Sequence, residues 1–329
     1  MLILSASDLR ALLSIADVIQ AVEGGFRAIA SGEATVPERL RLDVPAQTGV
    51  LLQMPAHLDS HSSPEDSALG TKIVSVFEQN LHRGLDAVQA VYLLVDSTTG
   101  VPLALMEGRF ITAIRTAATS AVATSFMAEP GAKRLAVFGA GVQADSHIAA
   151  MIEVAEIKQV MIVSRSPDKG NSLCDRVRAV HGVPCQIVSA QHAAASANLI
   201  CTCTSSRTPL FDGALLNEGT HINAVGAFDP STRELDSETI RSARVIIDSE
   251  SSAGREAGEI LIALSEGAIE TAHVRGTLAD VVSGKVSGRE SSSEITVFKS
   301  CGLAIEDLVT ARLAYSRAIA VGAGTRVEM

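Results

Sequence analysis

The sequence has no apolar run long enough to cross a bilayer as a helix, which takes roughly 18 uninterrupted residues. Its first residues, Met1-Leu-Ile-Leu-Ser-Ala-Ser-Asp8, lack the basic segment and apolar core of a secretory signal. Charge is sparse, 19% against 47% hydrophobic, so buried cores are expected and long disordered tracts are not. An excess of positive charge is absent too. The net charge of −10 argues against nucleic acid or an anionic membrane as a partner. It leaves room for a small anionic substrate, because a few local arginines and lysines can dominate one pocket. The five cysteines (Cys174, Cys185, Cys201, Cys203 and Cys301) are odd in number and form no Cys-x-x-Cys pair. They read as reduced, structural thiols in a cytoplasmic protein. The histidines show no metal-ligand spacing, and no metal site is expected.

What is present is periodicity. A length of 329 residues suggests about two domains. Leu9, Leu12, Leu13, Ala16, Val18, Ile19, Val22 and Phe26 recur at helical spacing and predict a helix over 8–31. Strands are expected at 49–54, 69–77, 87–95 and 101–106, with Asp96-Ser-Thr-Thr-Gly100 turning the last hairpin. The polar stretch 58–67 reads as an exposed loop. This first third predicts a mainly antiparallel sheet with a leading helix. Residues 111–128 read as an alanine-rich helix. Short apolar strands then alternate with helices from Arg134 onward, the pattern of a parallel sheet covered on both faces. The fold class is thus α/β: a Rossmann-type doubly wound parallel sheet plus a discontinuous α+β domain for substrate binding and dimerisation. The last helix, 303–320, is expected to pack back on the N-terminal part. That assigns residues 1–115 with 304–329 to one domain and 116–303 to an NAD(P)-binding domain.

The clearest chemical signal is Arg134-Leu-Ala-Val-Phe-Gly139-Ala-Gly141-Val142-Gln143-Ala144, an apolar strand, Gly-x-Gly-x-x-Ala, then a helix. Gly139 permits the tight turn, Gly141 lets backbone approach a pyrophosphate, and Ala144 lets helix and strand pack closely. The helix N-terminus offers free amides and partial positive charge to the phosphates. The glycines alone would be weak evidence; the flanking strand and helix give them weight. NAD-selective sites place a carboxylate after the second strand, on the ribose. This chain has Ser164, Arg165 and Ser166 there. An arginine pairs with a 2′-phosphate that a carboxylate would repel, so NADP(H) is the expected cofactor, with NAD(H) as the alternative.

Arg41, Lys72 and Arg115 are candidates for a substrate-carboxylate pocket, provided they converge. Lys72 lies inside an apolar strand and Arg115 in an alanine-rich helix, so both need partners. Each taken alone reads equally as a surface charge or a structural ion pair.

These residues sit in a series of motifs: Met54-Pro55-Ala56, Gly70-x-Lys72-x-Val74-x-x-Phe77-x-x-Asn80, Leu93-x-x-Asp96-x-x-x-Gly100-x-Pro102-x-Ala104, and Thr112-Ala-x-Arg115-Thr-Ala-Ala. Phe138-Gly-Ala-Gly-x-Gln-Ala144, Asn223-Ala-Val-Gly226, Arg233-Glu-Leu235 and Phe298-Lys-Ser-x-Gly302-x-Ala-x-x-Asp307 follow in order. In this the chain resembles the ornithine cyclodeaminase and mu-crystallin family over nearly its whole length. The resemblance implies a homodimer joined through its N-terminal sheets. It also implies a substrate carboxylate held by Arg41, Lys72 and Arg115 beside the nicotinamide. It places Met54 in the substrate pocket, and Thr204, Val225, Gly226, Lys299 and Gly302 near the cofactor or the domain junction. Asp307 it leaves open between bracing the last helix and a functional role.

Two departures bear on the activity the resemblance implies. Where cyclodeaminases carry an aspartate two positions after the glycine of Asn-Ala-x-Gly, this chain has Phe228, with Asp229 one position late. Where they carry a glutamate two residues before Met-Pro, it has Leu52. Without those carboxylates nothing holds an ornithine ammonium. A bound carboxylate, an apolar wall at Phe228 and a nearby lysine suit a flat cyclic imine acid. The implied activity is reduction of Δ1-pyrroline-2-carboxylate to L-proline, in degradation of trans-3-hydroxy-L-proline, with the six-membered Δ1-piperideine-2-carboxylate as the other ring size. Lys72 would orient the carboxylate, relay a proton, or both. Cyclodeaminase or alanine dehydrogenase chemistry, and a non-catalytic NADPH-dependent ligand-binding role, remain the alternatives.

Overall fold

The computed structural model describes residues 1–59 and 67–328; most of the stretch read as an exposed loop, 60–66, lies outside them. The chain divides into one unit of Met1–Thr116 with Leu303–Met329 and another of Ala117–Gly302. The first contains β1 (Leu2–Leu4), α1 (Ala6–Leu12), α2 (Ile15–Ser31), β2 (Ala34–Thr35), β3 (Leu40–Val44), β4 (Gly49–Leu58), β5 (Ala68–Phe77), β6 (Val88–Val95) and β7 (Pro102–Glu107). Helix α3 (Gly108–Met127) follows, its residues up to Thr116 in this unit and the rest in the other, and α11 (Ala304–Val321) and β16 (Thr325–Arg326) return to complete the first unit.

The helix expected over 8–31 is in fact two. Leu13 and Ser14 are extended, and the Ser14 hydroxyl accepts from the Asp17 amide at 3.3 Å, starting α2 afresh. Apolar spacing concealed the break because Leu9 and Leu12 before it and Val18, Ile19, Val22 and Phe26 after it are all buried. The sheet runs β16-β1-β7-β6-β5-β4-β2, with β3 also on β4, and only the β1–β7 pair is parallel. Strand β4 continues through Pro55 to Leu58, further than expected. Pro55 sits where the outer neighbour changes from β3, paired up to Gln53, to β2, paired from His57, so no ladder is interrupted by its missing N–H. The Asp96 carboxylate accepts from the Thr98 and Thr99 amides, which makes the turn of the β6–β7 hairpin.

One face of this sheet is apolar and buried: Leu52, Met54 and Ala56 of β4, Val74 of β5, Tyr92 and Leu94 of β6, Ala104 and Met106 of β7. Helix α11 packs on β4, β5 and β6, and α2 packs on α11. Period-2 alternation puts Lys72 on this same inner face.

The second unit contains β8 (Lys133–Phe138), α4 (Val142–Val154), β9 (Ile157–Val163), α5 (Pro167–His181), β10 (Cys185–Ile187), α6 (Ala190–Ser196), β11 (Leu199–Thr202) and β12 (His221–Ala224). Then come α7 (Ser237–Ser242), β13 (Ala243–Ile247), α8 (Glu250–Glu256), α9 (Gly258–Ser265), β14 (Val274–Thr277), α10 (Leu278–Val282) and β15 (Ile295–Lys299). Its eight strands run β10-β9-β8-β11-β12-β15-β13-β14, all parallel. The central strands β11, β12 and β13 are buried at every residue, as strands covered on both faces must be. Strand order reverses between β8 and β11, the switch point outside which ligands bind in such sheets. Among the described residues no helix is long and apolar enough to cross a membrane.

Candidate active site

The first unit holds a buried cluster of charge. Lys72 lies on β5 between Met54 of β4 and Tyr92 of β6 in register. Its ammonium donates to both carboxylate oxygens of Asp307, at 2.9 Å and 2.8 Å. Arg115, on α3, donates from Nε to Asp307 Oδ1 at 3.1 Å and from Nη1 to Glu306. Glu306 also accepts from the Leu303 amide at 2.9 Å, closing the first turn of α11. Two carboxylates in that turn are favoured by the helix dipole. The two cations and two carboxylates sum to zero charge, which is what makes their joint burial tolerable.

Burial pushes the Lys72 ammonium down to about 8, and Arg115 adds to this; Asp307 and Glu306 pull the other way. Burial acts against the Arg115 charge as well, but the Asp307 and Glu306 carboxylates outweigh it and keep the guanidinium ionised. The Tyr92 phenol is raised by burial and by the Asp307 charge, and its oxygen has no hydrogen-bond partner among the described residues. The cluster therefore offers one permanent cation, Arg115, and one group, Lys72, able to release and regain a proton near neutral pH.

The structure brings Lys72 and Arg115 together and leaves Arg41 outside their cluster. Arg41 shares the inner face through the register Arg41–Leu52, but it is exposed and pairs with Asp43 at 2.9 Å. Met54 is buried opposite Lys72. Asp307 and Glu306 are the residues that sequence reasoning missed as partners. Two adjacent acidic side chains among the apolar residues that open the last helix were the available signal.

In the second unit the Gly-rich turn joins β8 to α4. Gly139 has φ +115, and a Cβ there would stand 2.7 Å from the Cys203 carbonyl, so only glycine fits. At Gly141 the space a side chain would fill is empty, and no side chain caps α4. Its first amides are thus open, and Val142 is exposed beside them. The buried Gln143 Oε1 has no partner among the described residues. An open helix start, on a turn that only glycine can make, at the switch point of a parallel sheet, fits a dinucleotide pyrophosphate. After β9, Ser164 and Ser166 are engaged with each other: Ser164 Oγ donates to the Ser166 carbonyl at 2.9 Å, and Ser166 caps α5. Arg165 between them is exposed.

The model described as the ornithine cyclodeaminase/mu-crystallin family matches residues 1–322. The chain belongs to the ornithine cyclodeaminase/mu-crystallin family. It is 35% identical over 330 residues, the whole of both chains, to a Bacillus cereus Delta(1)-pyrroline-2-carboxylate reductase. It is 37% identical over 297 residues to the rat (Rattus norvegicus) ketimine reductase mu-crystallin, covering 90% of each. Among solved structures, the Thermococcus litoralis Delta(1)-pyrroline-2-carboxylate reductase in complex with NADH and L-proline superposes with a TM-score of 0.96. That pair is 41% identical, over 99% of this chain and 100% of the other.

Against that family background the two departures have definite surroundings. Leu52 is buried on the inner face, between Arg41 and Val74 in register. Phe228 is 36% exposed on the loop after β12, a large apolar ring left facing solvent. Asp229 turns to its own loop, accepting from Ser231 Oγ at 2.6 Å. At the ends of β11 and β12, Thr204 and Gly226 both bond to one buried carboxylate, Glu234. The Val225 amide donates to the Thr202 carbonyl. Lys299 is fully buried and pairs with Glu259 at 3.0 Å. Gly302 donates its amide to Asp248 at 2.6 Å. Glu259 and Asp248 were not foreseen, since nothing local distinguishes them from surface carboxylates, and Glu234 stood out only as part of the Arg233-Glu-Leu235 motif, without a role.

Proposed function

We propose that this protein reduces Δ1-pyrroline-2-carboxylate to L-proline, with NADPH preferred over NADH. The observation that carries the reading is the Lys72–Asp307–Arg115 cluster on a face where Leu52 replaces a carboxylate. It can bind an acid and move a proton, and the buried Leu52 offers no carboxylate at that position to bind an ornithine ammonium. Full-length similarity to a reductase of this imine, and to a structure with L-proline bound, supports the same substrate.

A bound reduced nicotinamide supplies the hydride that the C=N carbon accepts. Arg115, permanently charged, holds the substrate carboxylate, with Arg41 closing over it from the exposed end of β3. Lys72, poised near 8, orients the carboxylate and restores the proton that the ring nitrogen takes up. Asp307 holds the lysine in place and steadies its charged form. The exposed Phe228 ring is the apolar group this reading assigns to a flat imine. Gly139, Gly141, Val142 and Gln143 receive the pyrophosphate, Thr204, Val225 and Gly226 border the nicotinamide, and Arg165 pairs with the 2′-phosphate.

We place the reaction in trans-3-hydroxy-L-proline degradation and the protein in a homodimer. The outer face of the first unit's sheet supports the latter, with exposed Leu40, Leu42, Ile73 and Val91. The deciding experiment follows nicotinamide absorbance with Δ1-pyrroline-2-carboxylate, running NADH, Δ1-piperideine-2-carboxylate, ornithine, and pyruvate plus ammonia in parallel. Rapid NADPH oxidation yielding L-proline is expected. Ammonia release from ornithine, or reduction of pyruvate without activity on the imine, would overturn the assignment.

A further inference from the structure

The loop that carries Phe228 is held from beneath by buried charges that the proposed chemistry leaves unused. It starts at Gly226, whose amide donates to Glu234 Oε2 at 2.7 Å. A methyl group on Gly226 would run into the Thr204 carbonyl and the Glu234 carboxylate, so the loop start lies directly on that carboxylate. One residue on, the Ala227 carbonyl accepts from Lys299 Nζ. Lys299 pairs with Glu259 Oε2 at 3.0 Å, and Glu259 Oε1 accepts the backbone amide of Glu234 at 3.1 Å. The path therefore closes on itself: Gly226, Glu234, Glu259, Lys299, Ala227. Glu234, Glu259 and Lys299 each have no exposed surface, and Ala227 is buried as well. The next residue, Phe228, is the one that emerges.

Stability alone does not account for this arrangement, because apolar side chains of similar volume would serve as well or better than buried ions. What charges can do and apolar groups cannot is hold backbone groups by directional bonds. Here an N–H at position 226 and a C=O at position 227 are both taken, immediately before the exposed ring. The other three contacts of the Glu234 carboxylate, from the Thr202 hydroxyl at 2.7 Å and from the Thr204 amide at 2.7 Å and hydroxyl at 2.6 Å, tie it to the end of β11 and the residues just after it. The loop thus has its anchor in the sheet itself.

We propose that Lys299, acting through Glu259 and Glu234, is a positioning residue that sets where the Phe228 ring stands. It thereby sets the apolar wall offered to a cyclic substrate. The proposal rests on the imine-reductase reading for its substrate, and it assigns the Lys299 ammonium to the loop and not to the cofactor.

The test uses the full-length protein and the paired variant K299M/E259Q, which removes both charges. K299M alone would strand a buried carboxylate and unfold the unit. Amide hydrogen exchange is measured over residues 228–232, beyond the Gly226 amide that Glu234 still holds in this variant, together with KM and kcat for the imine acid and NADPH affinity by fluorescence titration. Expected are faster exchange in that loop with β12 and β15 unchanged, KM raised about tenfold, little change in kcat and unchanged NADPH affinity. Adding F228A should then raise KM no further, because the ring is already misplaced. K299R, which keeps a donor and a charge, should recover most of the loop protection. Unchanged loop exchange, multiplicative effects of the two changes on KM, or weakened NADPH binding would each overturn the proposal. The exchange measurement needs no substrate. A wild-type protein inactive on the imine would count against the substrate reading, while exchange would still decide the positioning role.

Discussion

Lys72 and Asp307 are 235 positions apart in the chain, yet the ammonium of one donates to both oxygens of the other where neither is exposed to solvent. That pairing, with Arg115 also donating to the same carboxylate, joins β5, an interior strand of the first sheet, to the returning C-terminal helix. It serves stability and the proposed proton chemistry through the same atoms.

Removing the pairing separates those roles. Asp307→Asn leaves Lys72 buried beside Arg115 without its main counter-charge, which costs about 3–5 kcal/mol of stability. Asp307 holds the Lys72 pKa up, so its loss moves that pKa below about 8. Turnover should fall about 10–100-fold and begin to decline at lower pH than in the wild type. Thermal melts and pH–rate profiles of the two proteins check both effects.

The wild-type profile has its own prediction. Lys72 is lowered from its ordinary 10.5 to about 8, so as a proton donor it supports full turnover below about 8 and loses it above. Between about 8 and 10.5 the unfolded chain binds a proton that the folded chain has released, so this group's contribution to stability rises with pH. Activity falling while that contribution to stability rises distinguishes titration of Lys72 from alkaline unfolding. A profile flat through pH 9 would remove Lys72 from proton transfer.

Arg165→Asp tests the cofactor preference. Replacing an exposed guanidinium by a carboxylate should lower the NADPH-over-NADH preference in kcat/KM by at least about tenfold, mainly by weakening NADPH. An unchanged ratio would show that the side chain is only a solvated surface charge.

Gly139→Ala adds a methyl 2.7 Å from the Cys203 carbonyl, on a residue at φ +115. The strain costs about 1–3 kcal/mol and shifts the turn under the pyrophosphate. Dinucleotide titration should show affinity for NADPH and NADH reduced together, in contrast to the Arg165 variant, which separates them.

Ile73 is 40% exposed on the outer face of the first sheet. If that face joins two copies, Ile73→Asp buries two unpaired charges at the interface and should yield monomers in analytical ultracentrifugation. A dimer that persists would move the interface elsewhere.

Much of this protein follows from local pattern. The Gly-x-Gly-x-x-Ala turn between an apolar strand and a helix is legible because the backbone conformation at Gly139 excludes other residues whatever surrounds it. The β4–β7 meander is legible because alternation records which face is buried. The helix break at Leu13 and Ser14 was not, since the same apolar residues bury on either side of it. Lys72 and Arg115 could be singled out as charges in apolar settings, and Glu306 and Asp307 as paired acids at a helix start, but which acid meets which cation could not, because an ion pair leaves no trace in the spacing of either partner.

The sequence by itself determined the class of fold, the place of the dinucleotide turn and the family, since each depends on short-range backbone sterics or on many motifs kept in order. Tertiary structure alone decided that Asp307 and Glu306 neutralise Lys72 and Arg115, that Arg41 stands outside that cluster, and that Lys299 faces Glu259 and the Phe228 loop. The physical reason is that a buried charge is governed by whatever group comes within about 4 Å of it, and only folding brings residues hundreds of positions apart to that distance.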